Sequence, residues 1–140
     1  MKRALTVNDV KHVAYGMAKA MMSWNEPIPD FETRFPNVLE SCLATPFQTF
    51  GKKNLYPGLS EKAAILFYLL IKNHPFENGN KRIAVTSLLV FLFLNRKWIR
   101  VDNQELYNFA VWVASSPAQL KKQVVDGVQS FIQKNWIDVP

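Results

Sequence analysis

The sequence predicts an all-α fold, a compact helical bundle around one buried central helix, with a small β-hairpin flap. Three observations predict it. The run from Ile83 to Leu94 is apolar nearly all round, broken only by Thr86 and Ser87, which suits a helix enclosed on every side. Val7, Val10, Val13, Ala14, Met17, Ala20 and Met21 recur at helical spacing, so the N-terminal segment buries one stripe. Residues 45–57 lose that period, and there Gly51 stands among β-favouring aromatics and polar residues, as a hairpin requires.

The elements follow in order. The first helix runs from Thr6 to about Met22, and Thr6 with Asp9 forms a capping box in which Asp replaces the usual Glu. Pro27 and Pro29 then enforce a loop, because proline fixes φ and lacks a donor. Pro36 suits the first turn of a short helix to Ala44. After the hairpin, Ser60 is an N-cap for a helix over Glu61 to Lys72, with an apolar face of Ala64, Ile65, Phe67, Tyr68, Leu69 and Leu70. The central helix spans Asn80 to Asn95, and the Phe91–Leu94 string is core. Trp98 to Val101 is a short extended segment. Asp102 or Asn103 caps a helix to about Ser115, and Ser116-Pro117 opens the last, to about Trp136. Trp24, Trp98, Trp112 and Trp136 read as core or interface anchors.

The 140 residues are a single-domain length, no Gly/Ser-rich or Pro-rich linker divides them, and residues 1–140 read as one domain. A hydrophobic share of 49% supplies a core and excludes disorder. Cys42 is the single cysteine, so no intrachain disulfide or cysteine zinc cluster forms, and its apolar neighbours mark a buried structural thiol. Lys2 and Arg3 are followed by Asn8, Asp9, Lys11 and His12 rather than by an apolar signal core, and the longest apolar run is too short for a bilayer. These features predict a soluble protein of the cytoplasm, with no membrane partner. The net charge of +6 favours anionic partners, yet the basic residues form scattered pairs rather than a stripe, which makes nucleic acid a poor fit.

The most informative segment is His74-Pro75-Phe76-Glu77-Asn78-Gly79-Asn80-Lys81-Arg82, directly before the central apolar run. It suits phosphate chemistry. Gly79 permits a tight turn. The first N–H groups of the following helix lack intrahelical partners and carry the positive end of its dipole. Gly79, Asn80, Lys81 and Arg82 therefore read as an anion cradle, in which Arg82 offers a bidentate fork. His74, on the loop before it, is placed to act as a general base.

This string resembles the signature of the Fic/Doc superfamily. The stretch from Leu55 through Ala64, and Ile71-Lys72-Asn73 leading into the motif, is similar to the Doc, or death-on-curing, branch; the likeness covers roughly residues 33 to 115. The resemblance implies the Fic/Doc helical fold and nucleotide-dependent modification of a protein hydroxyl. It implies that His74 deprotonates the target hydroxyl, that Phe76 anchors the loop, and that Gly79, Asn80 and Arg82 cradle phosphates. It assigns the Mg²⁺ ligand to position 78, where the usual acid is replaced by Asn78, a poorer ligand for a hard cation. Three readings of that departure stay open: the nucleotide phosphates hold the metal, Glu77 substitutes, or activity is weak. The resemblance also makes the hairpin around Phe50, Gly51, Lys52 and Lys53 a flap that docks the target backbone by strand addition.

Two positions separate the branches. AMP-transferring Fic enzymes usually carry Gly where this chain has Lys81, and a second Arg where it has Val85. Doc-like members carry the Lys and resemble Fic enzymes turned into kinases, with translation elongation factor Tu as a target. The resemblance therefore implies ATP or another nucleoside triphosphate as co-substrate, Mg²⁺, catalytic roles for His74, Lys81 and Arg82, and a toxin restrained by a separate antitoxin chain. AMP transfer is the alternative within the enzyme class. A nucleotide-binding module with impaired turnover is the alternative outside it.

Overall fold

Thr6 starts the first helix with the reciprocal cap expected from the sequence: Asp9 N–H donates to Thr6 Oγ1 at 3.1 Å, and Thr6 N–H donates to Asp9 Oδ2 at 2.9 Å. The computed structural model describes residues 2–21 and 27–140. Met22, Trp24 and the side chain of Met21 lie outside the described residues. The first helix is not uniform. After α1 (Val7–Asp9) the chain takes a π-helical turn over Val10–Ala14 before resuming as α2 (Tyr15–Met21). Hydropathy periodicity does not register such a one-turn widening.

Pro36 sets the first turn of α3 (Pro36–Ala44), with the bounds expected. A 3₁₀ turn leads into the hairpin, β1 (Thr49–Phe50) and β2 (Lys53–Asn54), paired antiparallel with Thr49 opposite Asn54 and Phe50 opposite Lys53. Its two-residue connection has both φ angles positive, Gly51 at +57° and Lys52 at +68°. That backbone matches the right-handed twist of the flanking strands.

α4 (Leu59–Lys72) begins earlier than the sequence reading placed it. Gly58 is the N-cap, and Glu61 Oε1 accepts from Gly58 N at 3.0 Å. Ser60 is not a cap. It is buried beneath the last helix, and its hydroxyl accepts from Gln129 Nε2 and Gln133 Nε2, each at 3.1 Å. Burial on α4 extends all round from Ala63 to Ile71 rather than along one face.

α5 (Asn80–Leu94) is the enclosed helix that its composition requires, packed against α2, α4 and α6 (Asn103–Ser115). The Phe91–Leu94 string is core only in part. Phe91 and Leu92 are buried, but Phe93 is 57% exposed and meets Trp98 edge-on at 6.3 Å. α6 is capped by Asp102, whose Oδ1 accepts from Glu105 N at 2.8 Å.

Ser116-Pro117 leads into a 3₁₀ turn and then α7 (Lys121–Asn135). The sequence predicts that helix to about Trp136, and it ends one residue before. The structure instead turns Trp136–Asp138 into a strand, β4, antiparallel to β3 (Lys97–Ile99), with Trp98 opposite Ile137. The extended segment thus starts at Lys97 and has a partner that no local pattern announces.

Candidate active site

The nine-residue string forms the connection from α4 to the N-terminus of α5. Phe76 holds it down. Its ring is 2% exposed, with centroids 5.5 Å from Tyr15 and 6.1 Å from Phe31, which themselves meet edge-on at 5.1 Å. Phe35 N–H adds a backbone tie to Pro75 O at 2.9 Å. Burial pushes the Tyr15 phenol up to about 12, Asp30 acts in the same direction, and Arg34 opposes.

Asn80 does more inside the loop than its sequence position suggests. Its Oδ1 accepts from Phe76 N at 3.1 Å, its Nδ2 donates to Phe76 O at 2.9 Å, and Nδ2 also lies 3.4 Å from His74 Nδ1. An amide nitrogen can only donate, so that last contact forms only in the tautomer that leaves a lone pair on Nδ1. Acceptance of a proton at Nε2 needs the other tautomer and gives up the contact. His74 is exposed, and its φ of +49° lies in the left-handed region, costly for a residue with a Cβ. No sequence signal marked that strain.

Gly79 takes φ +74° as the N-cap of α5. A Cβ there would lie 2.8 Å from Ile28 Cδ1 and 2.9 Å from Pro27 O, so glycine is required by conformation and by space. The first-turn N–H groups of α5 have no acceptor within their own helix. Lys81 beside them is half-buried. Arg82 turns inward: it is 7% exposed, and one terminal nitrogen donates to Ala18 O near the C-terminus of α2. A phosphate bound by Arg82 must share this guanidinium with that carbonyl or displace it. Val85, where a second arginine would stand, is fully buried in the core. Thr86 is core as well, its hydroxyl directed to Arg82 O and Ile83 O at 3.2 Å each.

Asn78 Oδ1 accepts from Gly79 N at 2.8 Å, and Glu77 beside it is exposed. Among the described residues no cluster of three or more His, Cys, Asp or Glu side chains could hold a metal by itself. A Mg²⁺ ion held by Asn78 or by Glu77 would take most of its ligands from phosphates and water. Cys42 is buried, and burial pushes its thiol up to about 11 against a smaller opposing effect of Asn73. This is the unreactive thiol expected.

The hairpin is exposed throughout, Phe50 at 79%. Its base is held by Lys62 of α4, which no sequence motif singles out and whose ammonium donates to Pro46 O at 3.0 Å and Tyr56 O at 2.6 Å. No helix among the described residues is long and apolar enough to cross a membrane.

A model of the Fic/DOC family matches residues 5–92 of the chain. Over 73 residues the chain is 33% identical to a protein of Mycolicibacterium smegmatis named Toxin Doc; the match takes in 52% of this chain and 56% of that relative. No solved structure matches.

Proposed function

The chain belongs to the Fic/DOC family, and from that premise we propose that it is a Doc-like transferase that uses a nucleoside triphosphate to phosphorylate a hydroxyl side chain of another protein. The observation that carries this reading is the loop itself. The amide of Asn80 ties both backbone polar groups of Phe76 to the first turn of α5, so the connection that carries His74 is fastened to an anion-binding helix end. In the proposed reaction the target hydroxyl oxygen bonds to the γ-phosphorus as the bond from phosphorus to the bridging oxygen breaks. The hydroxyl proton passes to the His74 ring, and the nucleoside diphosphate leaves. Gly79, Asn80, Lys81 and Arg82 form the phosphate cradle, with Asn80 acting chiefly by positioning and the α5 N-terminus by electrostatics.

Phosphoryl rather than adenylyl transfer is favoured by Lys81, which fills the cradle with charge, and by Val85, which leaves one clamp fewer. Mg²⁺ bound with ATP would offset phosphate charge, with Asn78 as its protein ligand and Glu77 as the substitute. Phe50, Gly51, Lys52 and Lys53 supply the flap on which the target backbone docks.

In keeping with its resemblance to the Doc branch, the chain acts in the cytoplasm on a translation factor, elongation factor Tu being the first to test. It is restrained by a separate antitoxin, for which an excess of cations is a suitable surface. Asn78 favours a second reading, a nucleotide-binding module with impaired turnover, because its amide oxygen is already engaged by Gly79 N–H.

The test is intact-mass spectrometry of elongation factor Tu incubated with the protein, ATP and Mg²⁺, with His74→Ala as control. A phosphate adduct lost in the variant supports the kinase. An AMP adduct overturns the choice of branch. No adduct on that factor or in a whole lysate, with ATP still bound, favours the impaired module.

A further inference from the structure

A lysine buried to 3% exposure is costly unless its charge is answered. The surroundings of Lys62 answer it with oxygen dipoles and a ring. Pro46 O lies 3.0 Å and Tyr56 O 2.6 Å from Nζ, and the Phe47 ring centroid is 4.6 Å away. The two carbonyls lie on opposite sides of the hairpin in sequence: Pro46 precedes β1, and Tyr56 follows β2. A single ammonium therefore ties both legs of an element whose own ladder is two residues long on each side, extended by Leu55 N–H to Gln48 O at 3.1 Å. A two-stranded ribbon this short does not order itself in water. Burial holds Lys62 below the usual lysine range, repulsion from Lys2 adds to this, and Glu61 opposes.

We propose that Lys62 is the positioning residue of the flap: its buried ammonium locks the two legs of the hairpin together and so fixes the exposed edge that a target backbone would join. The functional half of this proposal rests on the reading of the hairpin as a docking flap. The structural half does not.

The test separates the two. In Lys62→Met, hydrogen exchange at Leu55 N–H and at the β1–β2 amides is expected to quicken about tenfold or more, as the loss of a tie worth over 1.4 kcal/mol requires. Amides of α5 from Ile83 to Leu92 should keep their wild-type protection, and Lys62→Arg should restore part of the hairpin protection because it keeps the cation. Unchanged hairpin exchange in Lys62→Met overturns the proposal. So does a speed-up shared equally by α5, which would mean general destabilisation. In a transfer assay, the proposal predicts a raised KM for the target protein with kcat and nucleotide affinity little changed, and a fall in kcat alone overturns it. If the wild type transfers nothing, the docking reading fails, and the exchange result still decides whether Lys62 is the lock.

Discussion

The carboxamide of Asn80 closes on both backbone polar groups of Phe76, accepting from its N–H at 3.1 Å and donating to its C=O at 2.9 Å. The two residues are four apart, so the side chain replaces the backbone pairing that a continuing helix would have given the same atoms. The loop thereby stays rigid while its backbone turns sharply enough to put His74 at positive φ.

Asn80→Ala should therefore act on stability before it acts on chemistry. Two buried backbone groups lose their partners, at a cost of about 2–4 kcal/mol in total. Urea unfolding measures the loss, and Asn80→Asp should recover part of it, because a carboxylate still accepts from Phe76 N–H.

Gly79→Ala is expected to cost about 2–4 kcal/mol, from the left-handed backbone and the contacts with Pro27 O and Ile28 Cδ1. Adding Ile28→Ala should recover only a minor part, since the Pro27 carbonyl and the φ of +74° remain. Thermal melts of the single and double variants check this.

Tyr15 Oη is buried with no hydrogen-bond partner among the described residues. Tyr15→Phe should change stability by less than ~1 kcal/mol at neutral pH, or raise it. Its clearer effect lies at alkaline pH. The folded phenol is raised from the ordinary 10 to about 12, so its contribution is intact below pH 10 and is lost as pH rises through 12. Denaturation midpoints should fall less across that window in Tyr15→Phe than in the wild type.

Phe50→Ala removes a side chain that is 79% exposed, so the fold should change by less than ~0.5 kcal/mol. If the hairpin docks the target, KM for that protein should rise roughly tenfold, the equivalent of about 1.4 kcal/mol of lost contact. Steady-state kinetics beside a urea curve separates the two effects.

Lys81→Gly tests the choice of transferred group. With the lysine gone from the cradle, the adduct found by intact-mass spectrometry should move from phosphate towards AMP, or phosphate transfer should fall at least tenfold with no AMP gained. Unchanged phosphate transfer would remove Lys81 from the account.

Much of this arrangement was legible in the sequence where the cause is local. Thr6 with Asp9, Pro36 and Asp102 each cap or open a helix through atoms within three residues, and the observed helices start where those residues stand. The hairpin was legible because Gly51 sits at a position that needs positive φ. Features decided by distant partners were not. Ser60 has the chemistry of a cap, yet α7 lies over it and takes its hydroxyl. Trp136 continues an apolar helical pattern, yet pairing with Ile99 draws it into a strand. In the candidate site, residue types pointed to one loop, but not to the directions of its side chains. Arg82 reads as a bidentate fork for an anion, yet α2 packs against it and takes one of its donors, and nothing local marks Lys62 as the tie between the two legs of the hairpin.

The ties at the far end of α5 have a practical consequence. Arg3 exchanges two hydrogen bonds with Asn95, and Val139 N–H donates to Arg96 O, so residues near both ends of the sequence are fastened where that helix stops. Fifteen helical residues at 1.5 Å each separate that point from Gly79 by roughly 20 Å. A fluorophore, a purification handle or a sensor surface attached beside Arg3 or Val139 would sit at the opposite end of α5 from the Gly79 loop, which makes this molecule convenient to immobilise for binding measurements.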